Sequence, residues 1–366
     1  MLIDRIETFA TKDICHVRVT DSDGAQGWGM TAPFNADISA QVLHRIAASV
    51  AFRRYEDFRE VADDIIHYQY KFLGTFVVRA AAGIDTALWD LNAKRAGVPV
   101  KRLIGSRRDK IDLYATSMGH IQPVEGEAAR LRAIQDTYGL RAIKLHAGTP
   151  AGKDREPWPG CIRDMVLGMR KAAVEGTHLF VDINGNFSVG KAIETARFLK
   201  DNGIEFFEEP CPYWETDQTK AVRDACELIG LPVAGGEQDY IEPIWKRMID
   251  TRVVDICQPD LLYVGGFTRA LRVAARAASR GMMTTPHTSN QSPIAVMGLH
   301  YMSVIENPYP FMECGMGEAG WAKDCYHPHI DIVGGAASAP DVPGWGYDPD
   351  EDFLARSEKQ ESTRQQ

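Results

Sequence analysis

With 366 residues, 45% of them hydrophobic and 25% charged, the chain has ordinary globular composition and is long enough for two average domains or for one barrel with an attachment. No apolar run reaches the roughly 18 residues of a membrane span, and the start, MLIDRIETFA, carries acidic residues without an apolar signal core, so a cytoplasmic protein is expected. A net charge of −9 with no basic stripe argues against a nucleic-acid partner, and seven scattered cysteines without a CxxC pair argue against zinc or redox chemistry.

Taken in chain order, residues 1–33 alternate in polarity through IETFA, ICHVRVT, a DSDG turn and a run from Gln26 to Met30, which predicts a small antiparallel meander. From about residue 37 to residue 96 the apolar positions take a helical period, as in Val42, Ile46, Ala47 and Val50 and again in Ile84, Ala87, Leu88 and Leu91. Strands followed by about three helices read as an α+β unit, placed at 1–106. IDLYATS then opens a βα alternation. Seven further apolar runs end at Lys144, Asp182, Glu208, Glu237, Asp260, His287 and Glu313, close to the roughly 25 to 35 residues that a strand, a helix and two loops need. Eight strands close a barrel whose interior side chains just fill it, and 107–330 is assigned to that barrel. The segment 331–366 is first rich in Gly and Pro and ends in SEKQESTRQQ, expected as a disordered polar tail.

If each run is a strand, its last side chain lies at the barrel mouth where such folds gather their active sites. Asp182 in HLFVDINGN, Glu208 in EFFEEP and Glu237 in PVAGGEQ would then converge. Each alone reads equally well as a rim carboxylate paired with a lysine or arginine. Three in register need a cation, because crowded carboxylates raise one another's pKa, and all-oxygen ligation favours Mg²⁺, with Mn²⁺ as the alternative. Lys144 and His146, two apart in AIKLHAG, share one face of their strand; one suits a substrate carboxylate and the other proton transfer. Asp260 in QPDLLYVGG is placed to orient His287 in TTPHTSN for acid/base work, and Glu313 in FMECG would face a developing oxyanion. Glu209 should point away from Glu208 into a structural contact. His16, His44, His67, His178, His300, His327 and His329 fall away from strand ends and receive no role. The absence of GxxxxGK[ST], HExxH and GxSxG removes the P-loop, zincin and serine-hydrolase readings.

At these residues the chain resembles the enolase superfamily and, within it, the mandelate racemase subgroup. AAAGIDTALWDLNAKRAGVPVKRLIG at 80–105 is similar to the family's first signature, and residues 182–210, with Asn184 in the polar slot, to its second. The resemblance runs from about residue 2 to about residue 350. It implies a (β/α)7β modified TIM barrel under an N-terminal α+β capping domain, with 331–366 returning to the cap. It also implies Mg²⁺ on Asp182, Glu208 and Glu237, an Asp260–His287 dyad and Glu313 as the closing carboxylic acid. One departure stands out: Lys144-Leu145-His146 occupies the place of Lys-x-Lys, so two-base racemisation is in doubt. Asn184 also stands where some sugar-acid dehydratases of the family carry a histidine.

The activity expected from the resemblance is Mg-dependent dehydration of an aldonate or aldarate. The α-proton leaves to Lys144 or His146, an enediolate forms, and the 3-hydroxyl departs with a proton from His287 to give a 2-keto-3-deoxy acid. Lys144, Asn184, Trp28 and Glu313 are the expected substrate contacts, with residues 28–34 and the polar loop 149–160 closing over the sugar. The alternatives are a racemase, epimerase or cycloisomerase using the same enediolate, and a catalytically silent binding protein on the same fold. A small carboxylate is the expected partner, and a homo-oligomer the expected assembly.

Overall fold

A computed structural model describes residues 1–117, 123–149, 153–316 and 320–364. Strands β1 (Ile3–Ala10), β2 (Cys15–Asp21) and β3 (Gln26–Met30) form the expected antiparallel meander. Helices α1 (Ala36–Val42), α2 (Ala48–Ala51), α3 (Val61–Tyr68) and α4 (Thr75–Ala96) follow, α1 and α2 being joined by a π-helical turn. Their apolar faces and the inner face of the sheet share one core, with Ile6, Val17, Leu43, Ile65 and Leu88 fully buried.

The period of two along β3 puts Gly27 and Gly29 on the face that meets α4 and Trp28 on the other. A Cβ at Gly27 would lie 2.2 Å from the Ala87 carbonyl oxygen, and one at Gly29 would lie 2.3 Å from the Ala87 amide nitrogen. Neither obstacle is a side chain that can swing aside, so glycine is what lets the sheet sit this close to the helix. Gly29→Ala is therefore expected to cost about 1–3 kcal/mol or more by overpacking, read as a lower urea midpoint at unchanged slope. An unchanged midpoint would show that strand and helix can part freely.

Among the described residues, eight parallel strands build the second unit: β4 (Lys110–Thr116), β5 (Ala142–His146), β6 (His178–Asp182), β7 (Ile204–Glu208), β8 (Val233–Gly235), β9 (Ile256–Cys257), β10 (Met283–Thr284) and β11 (Phe311–Gly315). They pair in sequence from β4 to β10, and β11 pairs with β4. A parallel bridge from Thr284 to Pro308 brings the β10 end toward β11. After the short α5 (Val100–Ile104), the connecting helices are α6 (Val124–Tyr138), α7 (Cys161–Ala172), α8 (Val189–Asp201), α9 (Thr216–Ile229), α10 (Glu242–Asp250), α11 (Phe267–Ser279) and α12 (Pro293–Val304). This is the (β/α)7β barrel. No helix among the described residues is long and apolar enough to cross a membrane.

Strand alternation sorts the barrel interior into layers. Tyr114, Ala142, Phe180, Phe206 and Phe311 form a buried apolar floor, in which the Phe180 and Phe206 rings stack at 4.2 Å. Two residues farther along the same strands come Thr116, Lys144, Asp182, Glu208 and Glu313, all buried. The polar layer thus stands on an aromatic plug that keeps water out from below.

The cap is bound to the barrel through α4. Asp85 accepts hydrogen bonds from the Thr268 amide (3.1 Å) and hydroxyl (2.5 Å) at the start of α11, and burial lifts its carboxyl to about 6. Asp90 accepts from the amides of Trp345 (2.9 Å) and Trp28 (2.8 Å). The chain then returns: β12 (Tyr326–His327) pairs with β14 (Asp348–Pro349), and β13 (Ala336–Ser338) lies antiparallel to β4.

The expectation of a disordered tail is corrected here. Residues 358–363 form β15 (Glu358–Thr363), antiparallel to β1, with Lys359 2.8 Å from Glu7. Its composition is polar because it is an edge strand held by backbone pairing, not by a buried face. His16 and His300, given no role from sequence, are structural. Each donates or accepts through buried backbone partners, at Cys325 and at Lys101 and Trp345, and burial pulls both down to about 4.

Candidate active site

Parallel register sets Asp182 beside Glu208 on neighbouring strands, and the chain just beyond β8 brings Glu237 to them. One oxygen from each of the three carboxylates lies within 4.8 Å of the other two, and all three residues are buried. Burial pushes Glu208 up to about 8 and raises Glu237, and the neighbouring carboxylates add to both shifts. Asp182 moves the other way, well below the carboxylate range: the cost of burial is outweighed by His146 and Lys144. A cluster of buried, mutually repelling oxygens with no soft donor fits a hard divalent cation such as Mg²⁺.

Lys144 is fully buried beneath this cluster. Its ammonium is 2.5 Å from Glu208, 3.0 Å from Glu313 and 3.7 Å from Asp182. Burial alone would lower its pKa, but Glu208 and Glu313 hold it well above the ordinary value. Glu313 is tied at its other oxygen to the Thr288 amide at 2.9 Å, so it bridges Lys144 to the segment that carries His287.

Two imidazoles flank the carboxylates. His287 lies beside Asp260 through an isolated parallel bridge at the strand ends, and its Nδ1 is 2.8 Å from Asp260 Oδ2. Its Nε2 is 3.5 Å from Glu237. His146 repeats the arrangement from the other side of the barrel: Nδ1 bonds the Ser117 carbonyl, and Nε2 is 2.8 Å from Asp182 Oδ2. A carboxylate or carbonyl acceptor fixes the proton on Nδ1 in each ring, which leaves Nε2 as the atom that exchanges protons. Burial depresses both imidazoles, and the facing carboxylates overcome it, Glu237 most for His287 and Asp182 most for His146.

The remaining expectations divide. Asn184, at φ 50°, donates its amide N–H to Asp182 Oδ1 (2.7 Å) and its side-chain N–H to Oδ2 (3.0 Å), so it orients a carboxylate of the triad. Trp28 is not brought to the cluster. Its ring sits 5.6 Å from Phe9 and 5.1 Å from the Arg18 guanidinium, on the sheet face turned from α4, and it is dropped as a substrate contact. Glu209, at φ 42°, is buried with its side chain near Gly235, and its Oε1 has no hydrogen-bond partner among the described residues. Residues 150–152 of the polar loop lie outside the described residues.

One residue of the cluster was overlooked. Gln258 donates to Glu208 Oε2 at 2.7 Å and fixes its second oxygen. It precedes Asp260 by two positions, so the same alternation that paired Lys144 with His146 could have found it.

Residues 5–105 match the model of the mandelate racemase / muconate lactonizing enzyme N-terminal domain, and residues 126–353 match the enolase C-terminal domain-like model. A crystal structure of a candidate racemase from Roseobacter denitrificans superposes with a TM-score of 0.96 at 39% identity, covering 100% of both chains. Arabinonate dehydratase of Saccharolobus solfataricus is 26% identical over 341 residues, 92% of this chain and 88% of that protein. L-talarate dehydratase of Polaromonas sp. JS666, solved with Mg and L-glucarate, shares the fold at a TM-score of 0.85 and 22% identity, covering 100% of this chain and 99% of that one.

Proposed function

This chain belongs to the mandelate racemase/muconate lactonizing enzyme family of the enolase superfamily, and we propose that it is a Mg²⁺-dependent dehydratase of a sugar acid. The observation that carries the proposal is the placing of two pinned imidazoles, His146 and His287, against different members of one buried carboxylate triad. Asp182, Glu208 and Glu237 would hold the metal, which when bound supplies Lewis-acid stabilisation for the charge that gathers on a substrate carboxylate as its α-proton leaves. The use of a Lys or His base beside Mg²⁺ is general in this superfamily.

The chain's own residues do the rest. His146 Nε2 accepts the proton from C2, and its Nδ1 bond to Ser117 keeps the ring in the required tautomer. Lys144, held cationic by its buried carboxylate partners, is a fixed positive charge that favours the dianionic enediolate over the singly charged substrate carboxylate. His287 Nε2 returns a proton to the departing 3-hydroxyl, with Asp260 stabilising the imidazolium form. Water leaves, and the enol becomes a 2-keto-3-deoxy acid. The aromatic floor below Lys144 keeps the site at low dielectric, where each of these charges acts strongly. Arabinonate dehydratase and L-talarate dehydratase support this reading by relationship.

The Roseobacter structure favours a second reading, racemisation or epimerisation, in which His287 reprotonates C2 from the opposite side. Incubation of a panel of aldonates and aldarates with Mg²⁺ in D₂O separates them. Dehydration is expected to yield a semicarbazide-reactive keto acid; deuterium at C2 of recovered, stereochemically inverted acid without keto acid would replace the dehydratase reading with the second.

A further inference from the structure

Two arginines on the seam between cap and barrel have an acid partner across it. Arg269 and Arg272 of α11 both reach Asp63 of the cap at 2.7 Å. Arg79, in the first turns of α4, is different. Among the described residues it has no carboxylate within ion-pair distance, its buried Nε has no hydrogen-bond partner, and its one bond is a long one, 3.4 Å, to the Phe34 carbonyl of the cap loop.

Its position is what gives this meaning. The guanidinium stacks 4.4 Å over the ring of Tyr263. That ring lies 6.0 Å from the imidazole of His287, and the Tyr263 amide donates to Asp260, the residue that orients His287. Arg79 is thus one ring removed from the proton-transferring histidine, on the cap side. The same imidazole is 3.5 Å from Glu237 of the triad. With the reacting carboxylate of a substrate at the triad and its C3 hydroxyl at His287, the chain of contacts through Tyr263 makes Arg79 the cation nearest in line for its far end.

We propose that Arg79 is a specificity-determining residue that takes a second, distal carboxylate of the substrate, so that the substrates of this site are aldarates, dicarboxylic sugar acids, in preference to aldonates. The inference rests on the sugar-acid reading of the site. A planar guanidinium matches a carboxylate in two parallel hydrogen bonds, which an aldonate's terminal hydroxymethyl group cannot supply. Stacking on Tyr263 holds the fork in place before the ligand arrives and lowers the entropy cost of forming those bonds. A hydroxyl end would leave the guanidinium without an anion from the substrate.

Calorimetry on the Mg²⁺-loaded protein with a six-carbon aldarate and the aldonate of the same configuration tests this, with wild type, Arg79→Gln and Arg79→Lys. The wild type is expected to bind the aldarate roughly 10- to 100-fold more tightly, the worth of a hydrogen bond to a charged group. In Arg79→Gln the ratio should fall to about one, and Arg79→Lys should recover part of it. Equal affinities in the wild type, or a ratio that survives in Arg79→Gln, would overturn the assignment while leaving the sugar-acid reading intact. Absence of binding by any aldarate or aldonate of the panel would overturn both.

Discussion

His287→Asn is expected to turn over the best sugar acid of the panel roughly 10² to 10⁴ times more slowly than the wild type, the usual worth of a positioned acid or base. Asparagine can still donate an amide hydrogen to Asp260, now 2.8 Å from Nδ1, so the strand ends should stay in place. What it cannot do is pass a proton from the position of Nε2. The loss is therefore expected in kcat, with KM nearly unchanged, as for a group that acts only in the transition state. The variant also separates the two imidazoles. If His146 removes the α-proton and His287 serves the leaving group, His287→Asn should still exchange the C2 hydrogen with D₂O while forming almost no keto acid. His146→Asn should lose both. A His287→Asn enzyme within about tenfold of wild type would rule out the acid role assigned to His287.

How much of this was legible in the sequence follows from strand periodicity. Alternation with a period of two makes residues such as Phe180 and Asp182, or Phe206 and Glu208, consecutive inward-pointing layers, so a charge at the end of an apolar run announces both the strand and its mouth. The barrel, the cap and the meeting of Asp182, Glu208 and Glu237 could be read that way. Trp28 could not. Which side of β3 faces the barrel depends on the glycines at 27 and 29 docking on α4, a packing contact between segments 58 and 60 residues apart (Ala87 minus Gly29, Ala87 minus Gly27). The polar tail was misread for a related reason: an edge strand such as β15 is held by backbone bonds that composition does not register. Arg79 was invisible because only the fold places the first turns of α4 over Tyr263. His146 was singled out as the departure from Lys-x-Lys, but its orientation, with Nδ1 on the Ser117 carbonyl, needed the register of β4 against β5.

Removal of the divalent ion is expected to have the largest effect of all. Dialysis against EDTA should bring activity to background, and Mg²⁺, or Mn²⁺ in its place, should restore it. The electrostatic reason lies in the charge count of the buried cluster. Among the described residues Asp182, Glu208 and Glu313 share one permanent cation, Lys144, and burial first, then the crowding of the other carboxylates, raises Glu208 and Glu237. Against the lowering by burial, Asp182 and Glu237 without a divalent ion act on the imidazoles they face, His146 and His287, and raise the pKa of each, which makes both weaker candidates for the neutral base. Binding should also appear as stability, since a ligand that binds only the folded state at a concentration of 100 Kd adds about 2.7 kcal/mol. Thermal unfolding midpoints should therefore rise with Mg²⁺ in the wild type. In Glu237→Gln, which removes a ligand charge but leaves the buried Lys144 pairs untouched, the rise should need a much higher Mg²⁺ concentration. Full turnover after exhaustive chelation, with no midpoint shift on adding Mg²⁺, would refute the triad as a metal site and the proton-transfer scheme with it.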